Sequence, residues 1–187
     1  MAEIFIVQHA AKGRDRVDPE LTEVGRDQAA MVAAELAEIG IAALYSSPLR
    51  RARETAAPIA AVTGLAVTID ERLRERMEWD GHQPLANFFD DWVRATEDRS
   101  YVPLCGDSSF AAADRFRRFL LEHLDDDRRL AVVSHGGVTV DLLRTLAGDE
   151  AIDRRLIDDG VPNCRITRID GLRVTAIATD VSSAATR

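Results

Sequence analysis

A chain of 187 residues, with 46% hydrophobic and 30% charged, has the balance of a globular protein with one buried core, neither disordered nor fibrous. Its formal net charge of -8 argues against nucleic-acid or anionic-membrane partners, since both select a basic face that displaces counterions. No apolar run nears the roughly 20 residues of a membrane span, and Met1-Ala2-Glu3-Ile4 has no basic leader region, so a cytoplasmic protein is expected.

Ile4, Phe5, Ile6 and Val7 form a continuous apolar run that predicts a buried strand over residues 3–8. Thr22 reads as the N-cap of a helix reaching Ile39, with Ala29, Val32, Ala33 and Leu36 at helical spacing and Gly40 as its stop. A second strand is expected over 41–46. A helix follows with Pro48 in its first turn and runs to Thr63, where Gly64 ends it. Leu65 to Ile69 reads as a third strand. Residues 70–106 hold both tryptophans, two prolines and no long apolar strand, and read as an excursion above the sheet with a short helix near 84–97. Helical spacing returns over 108–124, with Phe110, Ala113, Phe116, Phe119 and Leu120 facing the core. Leu130 to Ser134 is a buried strand, followed by a helix from about Gly137 to Leu146. Cys164–Ile169 and Arg173–Ala178 flank Asp170-Gly171, which reads as a hairpin turn. Cys105 and Cys164 form no CxxC and read as two reduced thiols.

Alternating strands and helices predict an α/β fold: a three-layer α/β/α sandwich with a mainly parallel sheet, helices on both faces and a small insert above the carboxyl ends of the strands. Residues 1–179 are expected to form one domain, with the insert over about 70–106 and a mobile tail at 180–187. Ligands of such sheets bind at the carboxyl ends of the strands. That rule selects Gln8 and His9 after the first strand, Ser46 and Ser47 after the second, and Ser134 and His135 after the fourth. The small residues Ala10-Ala11 and Gly136-Gly137 follow the two histidines, which would let a ligand approach the backbone and offer helix N–H groups to an anion.

Five segments in order carry a resemblance. They are Ile-Phe-Ile-Val-Gln-His-Ala at 4–10, Leu21-Thr22-Glu23-Val24-Gly25-Arg26-Asp27-Gln28-Ala29, and Ser46-Ser47-Pro48-Leu49-Arg50-Arg51-Ala52-Arg53-Glu54-Thr55-Ala56. Leu73-Arg74-Glu75-Arg76 and Val133-Ser134-His135-Gly136-Gly137 complete the set. Together they resemble the histidine phosphatase superfamily, the phosphoglycerate-mutase-like proteins, over nearly the whole chain. The resemblance implies a phosphatase that hydrolyses a phosphate monoester through a phosphohistidine on His9. Arg51 would grip the phosphoryl oxygens with its planar fork, as would Gln8, His135 and the N–H of Gly136. His135 would donate more strongly when protonated. Glu75, or failing it Glu78, would be the general acid toward the leaving group and the base for water. No metal and no organic cofactor is implied. The partner would be a small phosphorylated substrate, and an exposed aromatic patch on the insert would favour a homodimer.

The chain departs from the family at two places. Gln8 stands where the family has arginine; a lost charge-assisted hydrogen bond is worth roughly 1.5–3 kcal/mol, and a lost transition-state donor on the order of 10²–10³ in rate. Lys12, Arg14 and Arg16 follow closely and could return a positive charge to the pocket. The stretch from Glu75 to Gly81 is also shorter than the family's. The loop after His9 lacks the asparagine pattern of the sugar-phosphate mutases, which favours hydrolysis over mutase chemistry. Two alternatives follow: a phosphate-binding pseudophosphatase disarmed at Gln8, or a phosphatase acting on phosphohistidine in proteins. Trp79, Phe88, Phe89, Trp92 and Tyr101 would either wall the pocket or form a small satellite core under the insert.

Overall fold

The computed structural model describes residues 1–14 and 17–180, so the predicted tail, apart from Asp180, lies outside the described residues, as does Arg16. Six strands form one sheet in the order β3-β2-β4-β1-β5-β6. The strands are β1 (Glu3–Gln8), β2 (Ala43–Ser46), β3 (Val67–Ile69), β4 (Arg129–Ser134), β5 (Ile166–Asp170) and β6 (Arg173–Thr179). The first four run parallel; β5 lies antiparallel against β1, and β6 against β5. The sheet is therefore mainly parallel with a mixed edge, as expected.

Strand alternation sorts the core into two halves. Phe5 and Val7 of β1 pack with Ala131 and Val133 of β4 against α1 (Glu23–Ile39) and α2 (Arg50–Thr63). Ile4 and Ile6 pack on the other face with Leu130 and Val132, under two further helices. Counting α3 (Leu85–Glu97) in the excursion, these are α4 (Ser109–Glu122) and α5 (Gly136–Ala147). Both faces of the sheet are thus covered, which is why its central strands read as unbroken apolar runs.

Several boundaries differ from expectation. β2 and β3 begin two residues later than predicted. Pro48 lies outside the helix, because Leu49, still extended, is the N-cap of α2. The hairpin turn is Gly171-Leu172, with Gly171 at φ 60, the first-position glycine a type II′ turn requires. Phe110 is 54% exposed instead of facing the core, with the Arg99 guanidinium 4.4 Å above its ring. A short α6 (Arg154–Asp159), all of it outside the core, was not anticipated; its sequence Arg-Arg-Leu-Ile-Asp-Asp carries no apolar stripe long enough to read.

Candidate active site

Register alone brings the two histidines together. Gln8 of β1 lies opposite Ser134 of β4, so the next residues, His9 and His135, leave neighbouring parallel strands side by side. Their ring centroids are 5.2 Å apart, although 126 positions separate them in the chain. His9 Nδ1 lies 2.8 Å from the Ala10 carbonyl oxygen. A carbonyl only accepts, so Nδ1 carries the proton and Nε2 keeps its lone pair. Burial, helped by the positive Arg51, pushes the His9 pKa down to about 3 and leaves the ring neutral. His135 is fully buried with Nε2 2.6 Å from Ser47 Oγ, and burial, Arg51 and His9 all push its pKa down. Burial beside Arg51 and His9 thus favours a neutral His135 ring over the protonated form that would donate more strongly.

Arg51 sits in the first turn of α2, 3% exposed. Thr55, one turn on, donates to the Arg51 carbonyl and accepts from the Ala10 N–H at 3.0 Å, which ties this turn to the loop after His9. The Arg51 fork is held bidentately by Glu78, at 2.9 and 2.8 Å, and its Nε has no partner among the described residues. Gly25 explains a further part of the pattern: a Cβ there would fall 2.0 Å from the Ala11 carbonyl oxygen, so only glycine lets α1 close on the loop after His9.

Glu75 has another setting. Its Oε1 accepts from Arg76 N–H and Val138 N–H, both at 2.7 Å, and its Oε2 accepts from Gly137 N–H at 3.1 Å. The carboxylate thus answers two of the free N–H groups at the start of α5, where the helix field favours an anion. A Cβ on Gly137 would lie 2.8 Å from Glu75 Oε1 and 2.7 Å from the Trp92 ring, so the contact requires glycine.

His9, Arg51, Glu75 and Glu78 line one cavity of about 550 Å³. Lys12 and Arg14 also line it, consistent with the expected return of positive charge. Gln8, His135 and Gly136 do not reach its lining; all three are buried, and Gln8 Oε1 has no partner among the described residues. The insert supplies Met77, Trp79, Leu85, Phe88, Phe89 and Trp92 to the cavity. The same segment also makes a satellite core of Met77, Phe88 and Ala95 with Trp79, Trp92 and Tyr101 against it, so the two readings of these aromatics hold together. Tyr101 is the exception: it stays off the cavity, and its hydroxyl donates to Asp91. Among the described residues no group of three or more His, Cys, Asp or Glu side chains could hold a metal ion.

Sequence reasoning missed the residues that hold the backbone here. Asn163 donates to the His9 carbonyl from 154 positions away, a contact without local signal. Gln28 accepts from Ala11 N–H and Glu54 from Leu21 N–H. Those two, with Thr55, were visible as letters of the motifs without a role.

The description Histidine phosphatase superfamily (branch 1) matches residues 7–175. The protein named "Probable phosphoglycerate mutase GpmB" in Erwinia tasmaniensis is 32% identical over 187 aligned positions, covering 91% of this chain and 85% of that protein. Glucosyl-3-phosphoglycerate phosphatase of Mycobacterium tuberculosis is 33% identical over 146 positions, or 70% of this chain and 66% of that one. A solved mycobacterial glucosyl-3-phosphoglycerate phosphatase in complex with inorganic phosphate superimposes with a TM-score of 0.77 at 25% identity, covering 96% of this chain and 98% of that chain.

Proposed function

Because this chain belongs to the histidine phosphatase superfamily, branch 1, we propose that it hydrolyses a phosphate monoester through a phosphohistidine formed on His9. The observation carrying this reading is the His9 ring: Nδ1 is committed to the Ala10 carbonyl, the ring is neutral, and Arg51 stands in the same cavity. Nε2 attacks phosphorus as the ester oxygen departs with a proton from the general acid. Water then attacks the phosphohistidine, returns that proton to the carboxylate, and releases inorganic phosphate and neutral His9. Arg51 binds the phosphoryl oxygens once Glu78 yields its fork. Glu75 is the acid and base in this account, held in a fixed orientation by three N–H groups. His135, with its ring 5.2 Å from that of His9, supports the nucleophile from beside it. The reaction asks for positioning and charge stabilisation, which these side chains supply without a cofactor. The missing asparagine pattern after His9 favours water over a second substrate oxygen as the acceptor.

A second reading, a phosphate-binding module without turnover, draws on Gln8: a neutral, buried side chain off the cavity stands where the family carries a cation. One assay separates the two. Purified protein should release nitrophenolate from p-nitrophenyl phosphate at pH 5 to 8, and His9→Ala should release none. In the same assay Glu78→Gln should lower, several-fold, the inorganic phosphate needed for half-inhibition, since it removes the anion competing for Arg51. Silence of the parent protein together with activity in Gln8→Arg would establish the binding module instead.

A further inference from the structure

The lining of the cavity is of two chemical kinds. One carries all its charge: Lys12, Arg14 and Arg51 against Glu75 and Glu78, around the neutral His9. The other is a wall of Met77, Trp79, Leu85, Phe88, Phe89 and Trp92, contributed by the insert. Leu85 and Phe89 line the cavity while 45% and 57% exposed, so part of its apolar lining is open to a ligand. The polar handle of Trp79 is already committed, since its ring N–H donates to the Gln83 carbonyl at 2.9 Å. Arg76 stacks on Trp92, 4.4 Å from the ring centroid, but its Nη atoms bind Asp141 and Thr96.

A volume of about 550 Å³ exceeds what a phosphoryl group fills and lies in the range of small-molecule sites. With phosphorus held at His9 and Arg51, the rest of the substrate must meet the apolar wall. Hydroxyls of a sugar would lose water there without gaining partners, which is unfavourable. A second carboxylate would lose water against the rings, and the cations that could answer it, Lys12, Arg14 and Arg51, already share the cavity with Glu75 and Glu78. An aromatic or branched apolar group would bury its surface against this wall and could stack on the exposed ring of Phe89.

We infer that the substrate is a phosphomonoester with a bulky apolar or aromatic alcohol portion, selected by the insert's wall. The inference rests on the reading of His9 and Arg51 as the phosphoryl site, but its test does not need turnover. Binding of three non-hydrolysable phosphonates is measured by calorimetry at one pH: methylphosphonate, 2-phenylethylphosphonate and 3-phosphonopropionate. The phenylethyl compound should bind at least about tenfold more tightly than the methyl compound, and the carboxylate-bearing one no more tightly than the methyl compound. Phe89→Asp and, separately, Leu85→Asn, both at exposed positions, should narrow the phenylethyl advantage. Equal affinities, tighter binding of the carboxylate, an advantage unchanged in both variants, or no binding of any phosphonate would each overturn the inference. Nitrophenolate release that depends on His9, without a phenylethyl advantage, would sink this inference and leave the phosphatase reading standing. The advantage with release from Gln8→Arg alone would leave the selection of an apolar ligand standing and favour the binding module over the phosphatase.

Discussion

At the scale of single residues, the two histidines make a measurable demand on stability. His9 is held near a pKa of about 3 and His135 is also pushed down, whereas both titrate near 6.5 when unfolded. Below pH 6.5 the unfolded chain therefore takes up protons that the folded chain refuses, and stability falls as pH falls. Each histidine contributes a slope of up to about 1.4 kcal/mol per pH unit, or roughly 2.7 for the pair. Asp141 opposes this loss, since burial raises its carboxyl to about 6. Urea unfolding at several pH values between 5 and 7 should show His9→Gln less destabilised by acid than the parent protein, by up to about 1.4 kcal/mol per pH unit. An unchanged slope in the variant would mean that His9 titrates normally in the folded protein. Both histidines could be selected from the sequence because they end apolar strands. Their neutrality could not, because it depends on burial and on Arg51 arriving from a different helix.

At the scale of elements, a buried polar cluster is among the contacts that fasten the insert to the sandwich. Arg76 pairs with Asp141 of α5 at 3.0 Å, both essentially unexposed, while its second Nη donates to Thr96 of α3 at 2.9 Å. Ser109 at the start of α4 donates to the same Asp141, and Arg144 of α5 donates to the Thr96 carbonyl. α4, α5 and the connection after β3 thus meet at one carboxylate, and Arg76 and Arg144 carry the link on to Thr96 of α3. Breaking a buried pair by removing one partner typically costs about 3–5 kcal/mol, because the other charge is left stranded. Asp141→Ala should be destabilised by that amount in denaturant titrations. A loss below about 1 kcal/mol would show that the cluster does not hold the insert. The insert and a short helix near 84–97 were expected from the sequence, but this fastening was not: Arg76 and Asp141 are 65 positions apart, and each looks locally like a surface charge.

At the scale of the whole molecule, most of the architecture was readable because a parallel sheet buried on both faces leaves continuous apolar runs, and glycine marks the helix ends. β1 and β4 announce themselves in this way, and the parallel register that aligns Gln8 with Ser134 then makes the meeting of His9 and His135 a consequence of topology. What escaped is what depends on distant partners. Asn163 reaches the His9 carbonyl, Glu78 occupies the Arg51 fork, and Phe110 turns outward under Arg99. No local period encodes any of these. The site is therefore a product of the fold: strand ends supply His9, the first turn of α2 supplies Arg51, the connection after β3 supplies Glu75 and Glu78, and the insert supplies the apolar lining. All of these serve one claim, that His9 carries the phosphoryl group during turnover. The direct measurement is to quench the protein with alkali during hydrolysis of p-nitrophenyl phosphate, which preserves a P–N bond, and to locate the phosphoryl group by peptide mass spectrometry. The account predicts one phosphoryl group on the peptide containing His9, absent after the substrate is exhausted; turnover with that peptide unmodified, or with the group on His135, would contradict it.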